Sequence, residues 1–377
     1  MPRSYLDHAS TSPIRPAALE AMLRWFRPES GDAPGDPGRI HAEGMSSRVA
    51  LETAREQVAA LVGARPREVV FTSGGTEAIA MASYGALAKG EVHRVVLPAI
   101  EHSAVRQWAE RGEAVVVGVD GRGRVDPDEL LSHVDERAAL VHLQWGNHEV
   151  GTVQELEPIV ARCREAGVLV HVDAAQAVGR VPVDFGSLGA DLLSLSGHKF
   201  GAPPGTGALL VRRGVRLPPL LLGGDQERAR RAGMENVPAL VGLGAAAEEV
   251  AARLHEEQDR SRRLTARVID WADRTAGVQL LGDREHRLPH LVCLGVEGIE
   301  PQPVLLGLDR VGVSVHSGSS CSSEALEPSP VLQAMGVDAE RSLRISVGWD
   351  TTESDVDRLL SALPEVLDGL RALRGRA

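Results

Sequence analysis

Lys199 stands in "LLSLSGHKFGAPPGTGALLV" (192–211), between two apolar runs and flanked by Gly197 and Gly201. An amine at a strand end, if burial holds down its affinity for a proton, can form a Schiff base with a carbonyl compound. Most loop lysines are simply solvated. Here the neighbours weigh against that, because Ser196 and His198 are donors suited to a phosphate and the loop is too rich in Gly and Pro for a solvated helix face. A second reactive candidate is Cys321, in "VHSGSSCSSEALEPSP" (315–330), a thiol among small polar residues followed by an acid and two prolines. A buried structural cysteine is rarely set this way, whereas a thiol that must reach a partner is. Asp173, in "LVHVDAAQAVG" (169–179), closes an apolar run, where an acid could hold a protonated ring nitrogen or simply cap the next helix. "FTSGGTEA" (71–78) reads as strand, Gly-rich turn and helix start. The N–H groups of Gly74, Gly75 and Thr76 could bind an anion there, or the segment is a tight turn with Thr76 as N-cap. No Gly-Lys-Ser/Thr follows, so it is not a Walker loop.

These residues need a frame. Short β-rich runs alternate with helical patterns: "EVVFTS", "RVVLPA", "AALVHLQW", "LVHVDAA", "DLLSLSG" and "GALLVRR" are each followed by a turn or helix. Such alternation predicts an α/β fold with a mostly parallel sheet covered by helices. His102 in "EHSAV" and Asn147 in "NHEVG" also follow apolar strands, so Thr76, His102, Asn147, Asp173, Gln176, Ser196, His198 and Lys199 share one sheet edge. From about Leu240 a long amphipathic stretch leads into a region with fewer strands and a C-terminal helix, an α+β arrangement. Two domains are expected: a large one over 13–250, and a smaller one built from 1–12 and 251–377 that carries Cys321 and Arg344.

With 377 residues, 43% hydrophobic and 25% charged, the chain has the composition of an ordinary globular protein. Its net charge of −11 argues against broad nucleic-acid binding. No apolar run approaches membrane-spanning length and the first residues carry no signal-peptide core, so a cytoplasmic protein without membrane attachment is expected. The three cysteines suggest neither a disulfide framework nor a zinc site; Cys163 and Cys293 read as inert core thiols.

Taken together, "YLDHASTSPIRP", "FTSGGTEA", "EHSAV", "NHEVGTVQ", "HVDAAQAVG", "SGHKFGAPPGTGALLVRRG", "SGSSCSSEALEPSPVLQAMG" and "SLRISVG" resemble the fold-type I pyridoxal-phosphate enzymes of the class V aminotransferase superfamily. Within it they are most similar to the group I cysteine desulfurases. The resemblance covers nearly the whole chain and implies a large domain with a seven-stranded, mostly parallel sheet. It implies pyridoxal 5′-phosphate as cofactor, with Lys199 carrying it and shuttling the substrate Cα proton, and Asp173 paired with its ring nitrogen. Gln176 and Asn147 would bond the ring O3′, and His102 and Ala175 would cover its two faces. Gly75, Thr76, Ser196 and His198 would hold the phosphate. Arg344 would grip the substrate carboxylate, with Asn147 helping, and Cys321 would take the sulfur of L-cysteine as a persulfide, leaving L-alanine. The implied partners are a second copy of the chain and a sulfur-acceptor protein: an iron–sulfur scaffold, a TusA-like protein or a ubiquitin-like sulfur carrier.

Several positions depart from that pattern. His148 stands where a second Asn is usual, and "GGTEAIAMA" lacks the family's Asn residues. Asp225 and Ala229 replace glycines, Met234 replaces a threonine that in the family reaches the partner's phosphate, and Asp36 stands where Asn is common. These changes resemble an actinobacterial-type side branch. The competing readings are a selenocysteine lyase or C–S lyase of the same superfamily, which need no persulfide loop, and a non-catalytic scaffold that retains the cofactor. The joint presence of Lys199, Cys321 and Arg344 favours the desulfurase.

Overall fold

The computed structural model describes residues 3–27, 35–89, 93–317 and 328–374. Cys321 lies outside the described residues, as does part of the Gly/Pro-rich loop before Ile40.

A two-residue strand, β1 (Ser4–Tyr5), opens the chain. Seven strands follow: β2 (Val69–Thr72), β3 (Arg94–Pro98), β4 (Glu113–Val117), β5 (Ala138–Gln144), β6 (Leu169–Asp173), β7 (Leu192–Ser196) and β8 (Gly207–Val211). They form one sheet in the order β2-β8-β7-β6-β5-β3-β4. Every pairing from β7 through β6, β5 and β3 to β4 is parallel, whereas β8 runs antiparallel to both β7 and β2. Because β2, β3, β5, β6 and β7 point the same way, their C-terminal ends gather at one edge, where open α/β sheets bind ligands. The inner strands are mostly apolar, and β7 and β8 are buried throughout, as sheets covered on both sides require. Between β2 and the Gly75–Leu87 helix, Gly74 adopts φ 153°, and a Cβ on Gly207 would lie 2.7 Å from the Gly74 backbone. Glycine at both positions lets that turn lie directly on the start of β8.

Four strands remain: β9 (Val278–Leu281), β10 (Leu291–Val296), β11 (Val313–Ser314) and β12 (Ser342–Ser346). β12, β10 and β9 form an antiparallel sheet, while β1 pairs in parallel with β11. Leu343, Ile345 and Val347 point into a second core with Leu6, Val292, Leu294, Leu359 and Leu363. The two-residue period then sends Ser342, Arg344 and Ser346 to the opposite face.

The 37-residue helix Val237–Asp273 joins the two cores. Asn236 caps it by accepting the Ala239 N–H at 3.3 Å, and Pro238 sits in its first turn. Its Leu240, Leu243, Ala246, Ala247 and Val250 pack into the main core, and its Leu264, Val268, Ile269 and Ala272 into the second. Since Leu6 belongs to the second core and Ala18 to the main one, the segment between them crosses from one core to the other. Among the described residues no helix is long and apolar enough to cross a membrane.

Candidate active site

The strand ends open on a cavity of about 510 Å3. Gly75 and Thr76 enter it from the helix after β2, and His102 from the segment after β3. Asp173 ends β6, with Ala175 and Gln176 just after it, and Ser196 ends β7, with His198 and Lys199 just after it. Arg344 reaches the same cavity from the opposite side, on β12. Ten of the residues singled out in the sequence therefore line one space.

Lys199 ends a short 3-10 turn, Gly197–Lys199, that continues β7. Its Nζ donates to the carbonyls of Ala9 at 2.6 Å and Ser10 at 2.9 Å. Burial pushes the amine down to about 8; Arg344 adds to the fall, while Asp7 and Asp173 hold part of it back. An amine with that proton affinity keeps a substantial neutral fraction near neutral pH, as condensation with a carbonyl requires. His198 Nδ1 lies 3.1 Å from Thr11 Oγ1, and burial with the Lys199 charge beside it lowers its imidazole to about 4. The ring is therefore neutral at pH 7, with one N–H to donate.

Asp173 pairs in register with Gln144 of β5 on one side and Ser194 of β7 on the other. Its Oδ1 accepts the Ala175 N–H at 3.0 Å and the Ser194 hydroxyl at 3.3 Å. Gln176 donates through Nε2 to Ala9 O at 2.8 Å, and its Oε1 lies 3.2 Å from His290 Nε2. His102 caps its own helix: Nδ1 accepts the Ala104 N–H at 3.1 Å, so the neutral ring carries its proton on Nε2.

Arg344 is 1% exposed. Its NH2 donates to Asp7 Oδ1 at 3.0 Å and Ser10 Oγ at 2.7 Å, and its NH1 to the His148 carbonyl at 2.9 Å. Two positions differ from the sequence expectation. Asn147 is wholly buried and does not line the cavity: Nδ2 donates to Ile100 O and Gln144 Oε1, and Oδ1 accepts the N–H groups of Glu149 and Val150. It shapes the turn after β5, and Gln144 and His148 face the cavity in its place. At the first helix the N-cap is Gly74, not Thr76, which leaves Thr76 inside the first turn.

Sequence reasoning missed Ala9, Ser10, Gln144 and Glu101. Ala9 acts through its backbone carbonyl, which leaves no mark on residue type, and Ser10 through both its carbonyl and its hydroxyl. Glu101 did leave one, an acid directly before a strand-end histidine. Its Oε1 accepts the Gln144 N–H at 2.7 Å, and burial, with Asp173 nearby, raises the carboxyl to about 8. His148 packs edge-on against His102, with ring centroids 5.2 Å apart.

A sheet of this order, a buried lysine after one strand and an acid after its neighbour define a fold-type I cofactor site. The chain belongs to the class-V aminotransferase family, whose model matches residues 4–359. It is 43% identical to a cysteine desulfurase from Gluconacetobacter diazotrophicus, over 98% of this chain and 94% of that one. Among solved structures, a NifS-like protein superposes with a TM-score of 0.90 at 32% identity, covering 98% of this chain and 100% of the other. Another, described as SspA in complex with cysteine, gives 0.80 at 29% identity, covering 91% and 98%. Members of this family depend on pyridoxal phosphate. The residues present fit that group. The amine of Lys199 is held down by burial, Asp173 offers a carboxylate at the cavity floor, and a 13-residue helix opens its N-terminus on the cavity between Gly74 and Thr76.

Proposed function

We propose that this chain is a pyridoxal-phosphate-dependent cysteine desulfurase, a cytoplasmic homodimer that converts L-cysteine to L-alanine and passes the sulfur, through a persulfide on Cys321, to an acceptor protein. The observation that carries this reading is the convergence of Lys199, Asp173 and Arg344 on one cavity from two separately cored parts of the chain.

In this reading Gly75, Thr76, Ser196 and His198 would bind the phosphate, and Asp173 would keep the ring nitrogen protonated. Gln176 would bond the ring O3′, while His102 and Ala175 would cover the two ring faces. Bound there, pyridoxal phosphate supplies a sink for the electron pair left when the substrate Cα loses its proton. Lys199 takes that proton at Cα and can return one, and Arg344 orients the substrate through its carboxylate. The Cys321 thiolate attacks the substrate sulfur: an S–S bond forms, the Cβ–S bond breaks with its electron pair staying on Cβ, and that carbon gains a proton. The products are L-alanine and a persulfide, so atoms and electrons balance without an external oxidant.

The described chain on either side of Cys321 supports this role. Before it, His316 pairs with the backbone of Arg344. After it, the Ser329 hydroxyl donates to Glu149, beside the cavity residue His148. The described residues that flank Cys321 in sequence thus lie near the cavity on both sides of it in the chain. Cys163 and Cys293 are buried, and burial raises both thiols to about 12, which makes them poor nucleophiles.

Alanine formation from L-cysteine, followed together with visible cofactor absorbance, tests the assignment. Lys199→Ala should lose both the absorbance of the lysine-linked cofactor and all alanine formation. A Lys199→Ala protein that still made alanine at a comparable rate would overturn it.

A further inference from the structure

The residues from Asp7 to Ser12 cross from the second core to the main one and touch both sides of the cavity on the way. Five contacts join this crossing to the lysine turn, the His198–Thr11 pair described above among them. Ser12 N–H donates to His198 O at 2.8 Å, and Ser12 Oγ to Lys199 O at 3.0 Å. Lys199 Nζ donates to Ala9 O and Ser10 O. Arg180, buried behind the turn, donates to both Lys199 O at 2.8 Å and Ser12 Oγ at 3.0 Å. At its other end the crossing is fixed to β12. Asp7 bridges to Ser346, and the Ala9 N–H donates to Ser346 Oγ at 2.9 Å.

Asp7 is the charged member of this segment. Its Oδ1 accepts from Arg344 NH2 at 3.0 Å and from Ser10 Oγ at 3.0 Å, and Ser10 Oγ in turn accepts from the same NH2 at 2.7 Å. Asp7, Ser10 and Arg344 thus close a three-membered ring of hydrogen bonds. Ser10 and Arg344 line the cavity and Asp7 does not. The carboxylate therefore backs the guanidinium instead of competing for the space a ligand would fill. An arginine head fixed on two acceptors loses the freedom to swing, so less freedom remains to be lost when a ligand carboxylate arrives.

We propose that Asp7 is a positioning residue that fixes the Arg344 guanidinium for the substrate carboxylate, and so sets the preference of the site for an amino acid over the corresponding amine. This rests on the reading of Arg344 as the carboxylate partner given above. The same charge reaches Lys199. Among the groups facing that amine, Arg344 and Arg180 lower its proton affinity and Asp7 and Asp173 raise it, so Asp7 links the two ends of the site.

The test compares L-alanine with ethylamine, which lacks only the carboxylate, as inhibitors of the holoenzyme. Arg344→Lys sets the scale. In Asp7→Asn the preference for L-alanine over ethylamine should fall about tenfold, with KM for L-cysteine rising by a similar factor and kcat changing little. Asp7→Glu should recover part of the preference. In cofactor-free Asp7→Asn, the pH dependence of Lys199 acylation should shift to lower pH. If Arg344→Lys leaves the preference unchanged, the carboxylate role of Arg344 fails and takes this proposal with it. If Arg344→Lys collapses the preference while Asp7→Asn alters neither the preference nor the Lys199 profile, the role of Asp7 alone is overturned. Ser10→Ala, which removes only the bridging hydroxyl, should lower the preference to a smaller extent and decides the matter if Asp7→Asn does not fold; an unchanged preference there counts against the proposal.

Discussion

Glu101 sits one residue before His102, with one carboxyl oxygen on the Gln144 N–H and the other buried without a hydrogen-bond partner. A carboxyl raised to about 8 from an ordinary value of 4.5 holds a proton in the folded protein that the unfolded chain has already released. Between those two values the folded state binds more protons, so stability falls as pH rises through the window. Glu101→Gln keeps the shape and removes the titration. Denaturation across the window should therefore show a flatter pH dependence in the variant than in the parent; equal slopes would place an ionised carboxylate at Glu101. At this scale the sequence was legible where chemistry depends on side-chain type. Lys199, Asp173 and His198 announced themselves by residue and setting, whereas Arg344 entered only through the family resemblance. Ala9 gave no such sign, because a carbonyl accepts a hydrogen bond whatever side chain it carries, and Ser10 gave none, because its hydroxyl meets Arg344 only in the folded chain.

Among the elements, the turn before the long helix carries the clearest strain. Glu227, Arg228 and Ala229 have φ of 48°, 59° and 60°, three consecutive left-handed residues without a glycine. Such a run costs about 1–2 kcal/mol per residue and persists only when its surroundings hold it. The hold is the Glu227 carboxylate, which takes Arg55 NH1 at 2.7 Å, Arg55 NH2 at 2.8 Å and the Phe71 N–H at 2.9 Å. Both ion-pair partners are at most 2% exposed at the side chain, so removing one leaves a buried charge uncompensated. Glu227→Ala should destabilise the protein by about 3–5 kcal/mol in denaturant titrations, and Ala229→Gly should stabilise it by about 1 kcal/mol. A neutral result for Ala229→Gly would argue that the left-handed turn is unstrained. The sequence marked Ala229 as standing where relatives carry glycine, and the backbone gives the physical reason. Strand identities were equally legible, because β5, β6 and β7 are mostly apolar runs, with polar residues at their C-terminal ends. The edge strand β4 was not singled out, although Val115, Val116 and Val117 are β-branched strand formers. Nor was the antiparallel direction of β8, which depends on pairing and not on composition.

For the whole molecule, the two cores and the helix joining them set the distance between Lys199 and Arg344. The site closes only because the N-terminal residues return to bridge them. That long-range return was not readable from local patterns. It follows from Leu6 packing with residues hundreds of positions away in the second core. Phe26, Ile40, Leu222 and Met234 are exposed apolar side chains, at 66%, 94%, 82% and 65%, and a second copy of the chain would cover such surface. Sedimentation of the holoenzyme should give twice 40.1 kDa, and a monomer at working concentration would contradict the proposed dimer. In the proposed reaction the cavity delivers the sulfur of L-cysteine to Cys321. Mass spectrometry of the purified holoenzyme after incubation with L-cysteine should therefore show a gain of one sulfur, about 32 Da, on the peptide containing Cys321, removed by a thiol reductant and absent from Lys199→Ala. Alanine formed with no sulfur on Cys321, or sulfur found instead on Cys163 or Cys293, would contradict it.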